Sequence, residues 1–169
     1  MYDTINIHQA YKTGDLKALK SALGNPPDFP NCVGPGGLGG NCLEYAIYHS
    51  PLTFIRTLLE LGADPNYLDD AGFPSIIAAL SSQRTDRCRI IELLLSFGAD
   101  IQRRGINDHT PLHYVASTED IEAMELLLLR GADPGARTSI DHYATPLEEA
   151  EYLGRAKAVQ ALRRLVPGL

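Results

Sequence analysis

Apolar positions along this chain come in short blocks that recur in phase, not in one long run. Three segments end alike: Leu58-Leu-Glu-Leu-Gly-Ala-Asp-Pro-Asn66, Leu93-Leu-Leu-Ser-Phe-Gly-Ala-Asp100 and Leu127-Leu-Leu-Arg-Gly-Ala-Asp-Pro134. Their glycines, Gly62, Gly98 and Gly131, lie 36 and 33 residues apart. Phe54-Ile55 with Leu58-Leu59, and Met124 with Leu127-Leu128, show the i, i+3, i+4 spacing of one buried helix face. Glycine closes each segment because a helix ends readily on a left-handed residue, which glycine adopts without strain. A shorter apolar block precedes each segment. Its clearest copies are Asp108-His-Thr-Pro-Leu-His-Tyr-Val-Ala116 and Ala144-Thr-Pro-Leu-Glu-Glu-Ala150, with weaker ones at Ile5–Ala10, Asn41–Ile47 and Pro74–Ala79. Thr110-Pro111 and Thr145-Pro146 read as an N-cap followed by a first helical residue that needs no amide hydrogen. Ser50-Pro51 reads as the same signal for a second helix. Aligned on the Thr position, the copies fall at 5, 41, 74, 110 and 145. The pattern predicts a short helix, a turn, a longer helix and an extended loop, five times over. No such unit buries its apolar face alone, so the units must stack.

A period near 33 with Thr-Pro-Leu-His and a closing Leu-Leu-x-x-Gly-Ala-Asp resembles the ankyrin repeat. The resemblance runs from about Ile5 to Val166 and is strongest over residues 105–134. It implies an all-α solenoid of stacked helix-turn-helix units with extended loops. One domain then covers residues 1–169, with units at about 1–26, 36–66, 69–101, 105–134 and 141–166. The first and last units read as caps, because Asn6, Gln9, Lys12, Lys17 and Lys20 decorate one and Arg155, Lys157, Gln160, Arg163 and Arg164 the other. The expectation is a free-standing array. In the same family the His of Thr-Pro-Leu-His, here His113, packs and hydrogen-bonds near the following loop.

Composition narrows the function classes. The 169 residues are 44% hydrophobic and 21% charged, with a net charge of −6. Residues 1–84 hold 5 basic and 8 acidic side chains and residues 85–169 hold 10 and 13, so both parts carry −3. Without a concentrated basic surface, sequence-independent nucleic-acid binding is not expected. The apolar runs, such as Ile90-Ile91 with Leu93-Leu94-Leu95, are too short to span a bilayer. The segment from Met1 to His8 has neither the basic nor the apolar region of a signal peptide. Three cysteines, Cys32, Cys42 and Cys88, fit a reducing cytosol with no disulfide framework. A cytoplasmic monomer is expected.

Candidate chemistry is sparse. The loop from Pro27 to Gly40 contains Gly34, Gly36, Gly37, Gly39 and Gly40, but a phosphate-binding loop needs a Lys and a hydroxyl residue after its last glycine. Here Asn41-Cys42-Leu43 follows, so the segment reads as a loop tip that adapts to a partner. Two further insertions lie at Ser81–Asp86 and Gly135–His142. His109 and His113 sit four apart, yet no third and fourth metal ligand falls at a recognised spacing. His109 precedes the cap and is expected to face solvent. Cys32 and Cys42 could meet across the Gly-rich loop, although redox and zinc pairs usually show Cys-x-x-Cys spacing. Glu148, Glu149 and Glu151 read as a solvated acidic face. Arg84, Arg87 and Arg89 read as a solvated helix start. No nucleophile or metalloprotease motif appears, so no catalysis, metal or cofactor is expected.

The ankyrin resemblance further implies a concave binding face made of loop tips and the exposed ends of the first helices. Mapped by motif phase, the positions on it are Leu38, Tyr48, His49, Asp70, Phe73, Arg103, Arg104, Ile106, His109, His142 and Tyr152. Exposed aromatics and arginines commonly dominate interface energy. The reading is a non-catalytic scaffold that binds an unidentified protein. Two alternatives stand beside it: an inhibitor or immunity protein that neutralises a toxic partner, and a small-molecule or metal-binding module using His109, His142 and the Cys32–Cys42 loop.

Overall fold

A helix begins one residue after each of four positions that the repeat phase picks out. Asn41 precedes α3 (Cys42–His49), Pro74 precedes α5 (Ser75–Ser81), Thr110 precedes α7 (Pro111–Thr118) and Thr145 precedes α9 (Pro146–Tyr152). The first copy differs: α1 (Thr4–Thr13) starts before Ile5. The second helices are α2 (Leu16–Ala22), α4 (Leu52–Glu60), α6 (Arg87–Ser96), α8 (Ile121–Leu129) and α10 (Ala156–Leu165), each longer than its partner except α2, which is shorter than α1. The structure is a computed structural model that describes residues 4–32, 40–69, 72–140 and 142–168. Among those residues the fold is all-α, with a 3₁₀ turn at Ile106–Asp108 and an isolated bridge between Leu68 and Pro74.

The caps work as their side chains dictate. Asn41 Oδ1 accepts the Glu44 amide at 2.9 Å. Thr110 and Thr145 each form a capping box, with His113 and Glu148 returning a bond to the cap's own amide. Thr145→Ala is therefore expected to cost about 1 kcal/mol in urea unfolding, and an unchanged midpoint would show that the box is energetically idle. Ser50 departs from expectation. It ends α3 by donating its amide to Ala46 O, and its hydroxyl is buried with no hydrogen-bond partner. Pro51 precedes α4 without a side-chain cap. At the other end of the longer helices, Gly62, Gly98 and Gly131 take φ of 92°, 90° and 91°. That reversal lets Ala63, Ala99 and Ala132 donate to the carbonyls of Leu58, Leu94 and Leu127 at 3.0, 3.0 and 2.9 Å.

The helices gather into two compact units, Met1–Ala99 and Asp100–Leu169. In the first, α1, α3 and α5 pack in succession, each against its own partner helix, and α4 packs on α6. Ile7, Leu43, Ile47, Ile55, Leu58 and Ile91 are fully buried there. In the second, α7 packs on α8 and α9, while α10 packs on α7, α8 and α9, around Leu112, Val115, Met124, Leu127 and Leu162. Side-chain amides tie successive loops together within each unit. Asn31 donates to Gly62 O and accepts from the Asp64 amide, Asn66 donates to Gly98 O, and Gln102 donates to Gly131 O at 3.4 Å.

Two readings change here. Arg84 is no solvated helix start: its side chain is 19% exposed and paired to Asp86 at 2.8 Å. Its Nη1 donates to Ile47 O and Ser50 O at 3.1 and 2.6 Å, which closes the C-terminal end of α3. Cys32 and Cys42 do meet, as free buried thiols with sulfurs 3.4 Å apart. Burial pushes the Cys42 thiol up to about 12.

Candidate functional site

In the second unit, residues 105–109 and residues 137–140 and 142–144 converge on the exposed side of α9. The convergence starts at His113, which is fully buried. Its Nδ1 lies 3.3 Å from the Thr110 amide and 2.8 Å from the Thr110 hydroxyl, and its Nε2 lies 3.1 Å from Ala144 O. A backbone amide can only donate and a carbonyl can only accept. His113 is therefore the neutral tautomer with its proton on Nε2, and it ties the start of α7 to the loop before α9. Burial holds its pKa below the ordinary histidine value, although the bond to Ala144 pulls the other way. With Nδ1 accepting and Nε2 donating, neither ring nitrogen is left to bind a metal.

The loops are laced by charge. Arg104 Nη1 donates to Asp108 Oδ2 at 2.7 Å and to the carbonyls of Asp108 and Arg137 at 3.0 and 2.9 Å. Asp108 also accepts from the amide and hydroxyl of Ser139, which together with Arg104 keep its carboxyl below the usual range. Arg137 grips Glu148 with two bonds of 2.8 and 3.0 Å and donates to Tyr143 O. The Thr145 amide first, and then Arg137, hold the Glu148 carboxyl below the usual carboxylate range. Tyr143 sits at φ 50°, a left-handed conformation unusual for a bulky residue, and is 62% exposed.

Between these loops and α9 lies a groove of about 560 Å³. His109, His142, Glu149 and Tyr152 line it, with Ala144 and Leu153 as its apolar surface. His109 does not face solvent as expected: its Nε2 is 3.3 Å from Glu149 Oε1, and its ring stacks on His113 with centroids 5.5 Å apart. The His142 and Tyr152 rings meet at 4.4 Å, and Tyr152 is 71% exposed. Glu148, Glu149 and Glu151 are likewise not a bare acidic face. They pair with Arg137, His109 and Arg163 in turn. Ile106 is exposed on its turn, and Arg103 is exposed beside it.

The first unit holds a separate cluster at the end of α3. His49 packs against Tyr45 and His8 at 4.4 and 5.1 Å, and His8 Nδ1 is 2.8 Å from the Tyr45 hydroxyl. Burial, with the nearby His8, Lys12 and Arg84, lowers the His49 pKa. Tyr48 is exposed with its hydroxyl 2.7 Å from Ser81 Oγ. Phe73 is half-buried on a turn in which its amide donates to Asp69 Oδ1 at 2.7 Å. Leu38 and Asp70 lie outside the described residues, as does most of the Gly-rich loop.

The structure thus brings His109, His142 and Tyr152 together, and separately Tyr48 and His49. Motif phase did not select Glu149 or Arg137. For Glu148 a signal existed, because Thr145-x-x-Glu148 is a capping-box pattern. Among the described residues no three His, Cys, Asp or Glu side chains are grouped to hold a metal. Among them, too, no helix is long and apolar enough to cross a membrane.

Comparison with known proteins gives a consistent result. A family model described as ankyrin repeats (3 copies) matches residues 76–165, and another described as ankyrin repeats (many copies) matches residues 43–95. An ankyrin repeat protein of Rickettsia felis is 31% identical over 136 residues, covering 78% of this chain and 42% of the relative. The transient receptor potential channel pyrexia of Drosophila melanogaster is 34% identical over 119 residues, 70% of this chain and 12% of the relative. The tyrosine-protein kinase Shark of the same organism is 30% identical over 125 residues, 73% of this chain and 13% of the relative. The chain therefore spans less than half the length of each of these relatives.

Proposed function

This chain belongs to the ankyrin-repeat family, and on that premise we propose that it is a non-catalytic module binding a partner protein through its loop tips and first-helix ends. Ankyrin repeats are generally protein-interaction modules. The observation that carries the reading is the exposure of aromatic rings where packing does not require it, above all Tyr152 at 71%. Such rings supply large contact area at small entropic cost. The first unit offers Tyr48, His49 and Phe73. The second offers Ile106, His109, His142 and Tyr152, with Arg103 and Arg104 beside them. The molecule acts as a cytoplasmic monomer whose laced loops are already in place, so little ordering opposes binding.

The test is quantitative co-purification with the wild type, a Tyr48→Ala/Phe73→Ala variant and a His109→Ala/Tyr152→Ala variant, all checked for unchanged helix content. At least one protein enriched by the wild type should fall by about tenfold or more with one variant, the scale expected for an interface anchor. Equal recovery of every enriched protein by all three would overturn the surface assignment.

A further inference from the structure

We propose that Cys32 and Cys42 are a redox-modification site, a dithiol set to close reversibly into an intramolecular disulfide that staples the end of the first repeat to the start of α3. This goes beyond the protein-binding reading and does not rest on it. The two residues are ten positions apart in the chain, yet their sulfurs are 3.4 Å apart, and both thiols are free and buried. A bonded pair stands at about 2.05 Å, so closure asks for an approach of roughly 1.4 Å, within the reach of side-chain rotation. Packing by itself calls for a thiol at neither position. Cys42 is the first residue of α3, where the matching positions hold Pro111 and Pro146, and proline's fixed φ suits a helix start better. Cys32 follows Asn31, which ties its loop to Gly62 O as Asn66 ties to Gly98 O and Gln102 to Gly131 O. The residues in the matching place are therefore Tyr67 and Arg103, and neither is buried. The two departures meet at one repeat boundary, sulfur to sulfur. Among the described residues no third His, Cys, Asp or Glu joins the pair to hold a metal, so a zinc site does not account for it.

The chemistry balances with hydrogen peroxide as oxidant. Cys32 is 5% exposed against 0% for Cys42, so it is the thiol that a small peroxide reaches first. Its thiolate attacks the O–O bond and becomes a sulfenic acid, and the departing oxygen takes up a proton and leaves as water. The Cys42 thiol then gives up its proton and its sulfur attacks the Cys32 sulfur. The S–O bond breaks and a second water leaves. Two thiols have lost two electrons and two protons, and one peroxide has become two waters. A small thiol such as glutathione reverses the change by way of a mixed disulfide, a second molecule of it completing the reduction. Burial raises both thiols, Cys42 up to about 12, so little thiolate is present and closure is slow rather than catalytic. Reversible closure of this kind fits the cytoplasmic reading, since cytosolic disulfides are usually transient or redox-sensing. The new bond restricts the unfolded chain and so stabilises the first unit.

The experiment treats the reduced, folded chain with a modest excess of hydrogen peroxide, then alkylates the remaining thiols and reads intact mass and tryptic peptides. Cys32 and Cys42 share the peptide Ser21–Arg56, and Cys88 falls outside it. The monomer should lose the mass of two hydrogens, with peptide Ser21–Arg56 resisting alkylation and Cys88 still alkylated. Dithiothreitol should restore both thiols. The oxidised form should melt about 5 °C or more above the reduced form, and Cys32→Ala should show neither the mass loss nor a peroxide-dependent rise. The wild-type mass measurement needs no variant to fold. The proposal falls if peroxide leaves Ser21–Arg56 fully alkylated, adds oxygen to its cysteines singly, or links Cys88 instead. It falls equally if the closed form melts at or below the reduced one.

Discussion

His113→Ala should destabilise the protein by about 3–4 kcal/mol, read from urea unfolding followed by helix signal. The side chain is fully buried, and it connects the Thr110 cap to Ala144 O across 31 residues of chain. Truncation leaves a cavity and strips a donor from a half-buried carbonyl, and both effects have the same sign. The histidine also makes stability depend on pH. Its folded pKa lies below the ordinary value near 6.5, chiefly because burial disfavours the charged ring. The folded state therefore binds its proton less readily than the unfolded chain. Stability from this source is complete above the ordinary value and is lost as pH falls from there toward the lowered folded value. His49 in the first unit is shifted the same way, first by burial and then by neighbouring cations. Wild-type stability should thus fall as pH drops below the ordinary histidine value near 6.5, with a shallower fall in His113→Ala. An identical slope in the two proteins would show that His113 carries no proton linkage.

Such a residue was legible in the sequence because the repeat phase placed it. The phase located the caps at Asn41, Thr110 and Thr145 to the residue, since a cap is a local transaction between one side chain and an amide three positions on; Pro74 opens α5 at the same phase without a side-chain cap. The closing glycines were legible for the same reason. What the pattern could not show were bonds between neighbouring repeats. Arg84 looked like one charge in a basic run, but its acceptors lie 34 and 37 residues earlier. His109 looked exposed because it precedes a cap, and its partner Glu149 belongs to the following repeat's helix. Ser50 carried the right residue type for a helix start, yet the chain uses its amide to end α3 and leaves its hydroxyl unpartnered. Residue type and spacing specify elements; partners between repeats depend on how far each loop reaches, and the loops here depart from the period.

Arg84 carries the second large effect. Arg84→Ala should cost about 2–3 kcal/mol, the range for hydrogen bonds to a charged group that is partly withdrawn from water. Nε and Nη2 each bind Asp86 at 2.8 Å, while Nη1 reaches Ile47 O and Ser50 O. Those carbonyls belong to the last turn of a helix, where acceptors have no intrahelical donor and a positive charge is favoured by the helix dipole. The Asp86 pair alone would account for only about 1 kcal/mol, because both partners keep some contact with water. The bonds to α3 therefore carry most of the effect. Arg84→Lys separates these contributions: it keeps the charge but cannot fork to Asp86 and span two carbonyls at once. It should recover less than half of the loss. A lysine variant as stable as the wild type would show that charge alone suffices, and an alanine variant with an unchanged midpoint would show that water replaces the guanidinium. Because Tyr48 and His49 occupy the same last turn, loss of the Arg84 clasp should also loosen the first unit's exposed ring cluster, visible as faster amide exchange at Tyr48 to Ser50 in Arg84→Ala than in Arg84→Lys.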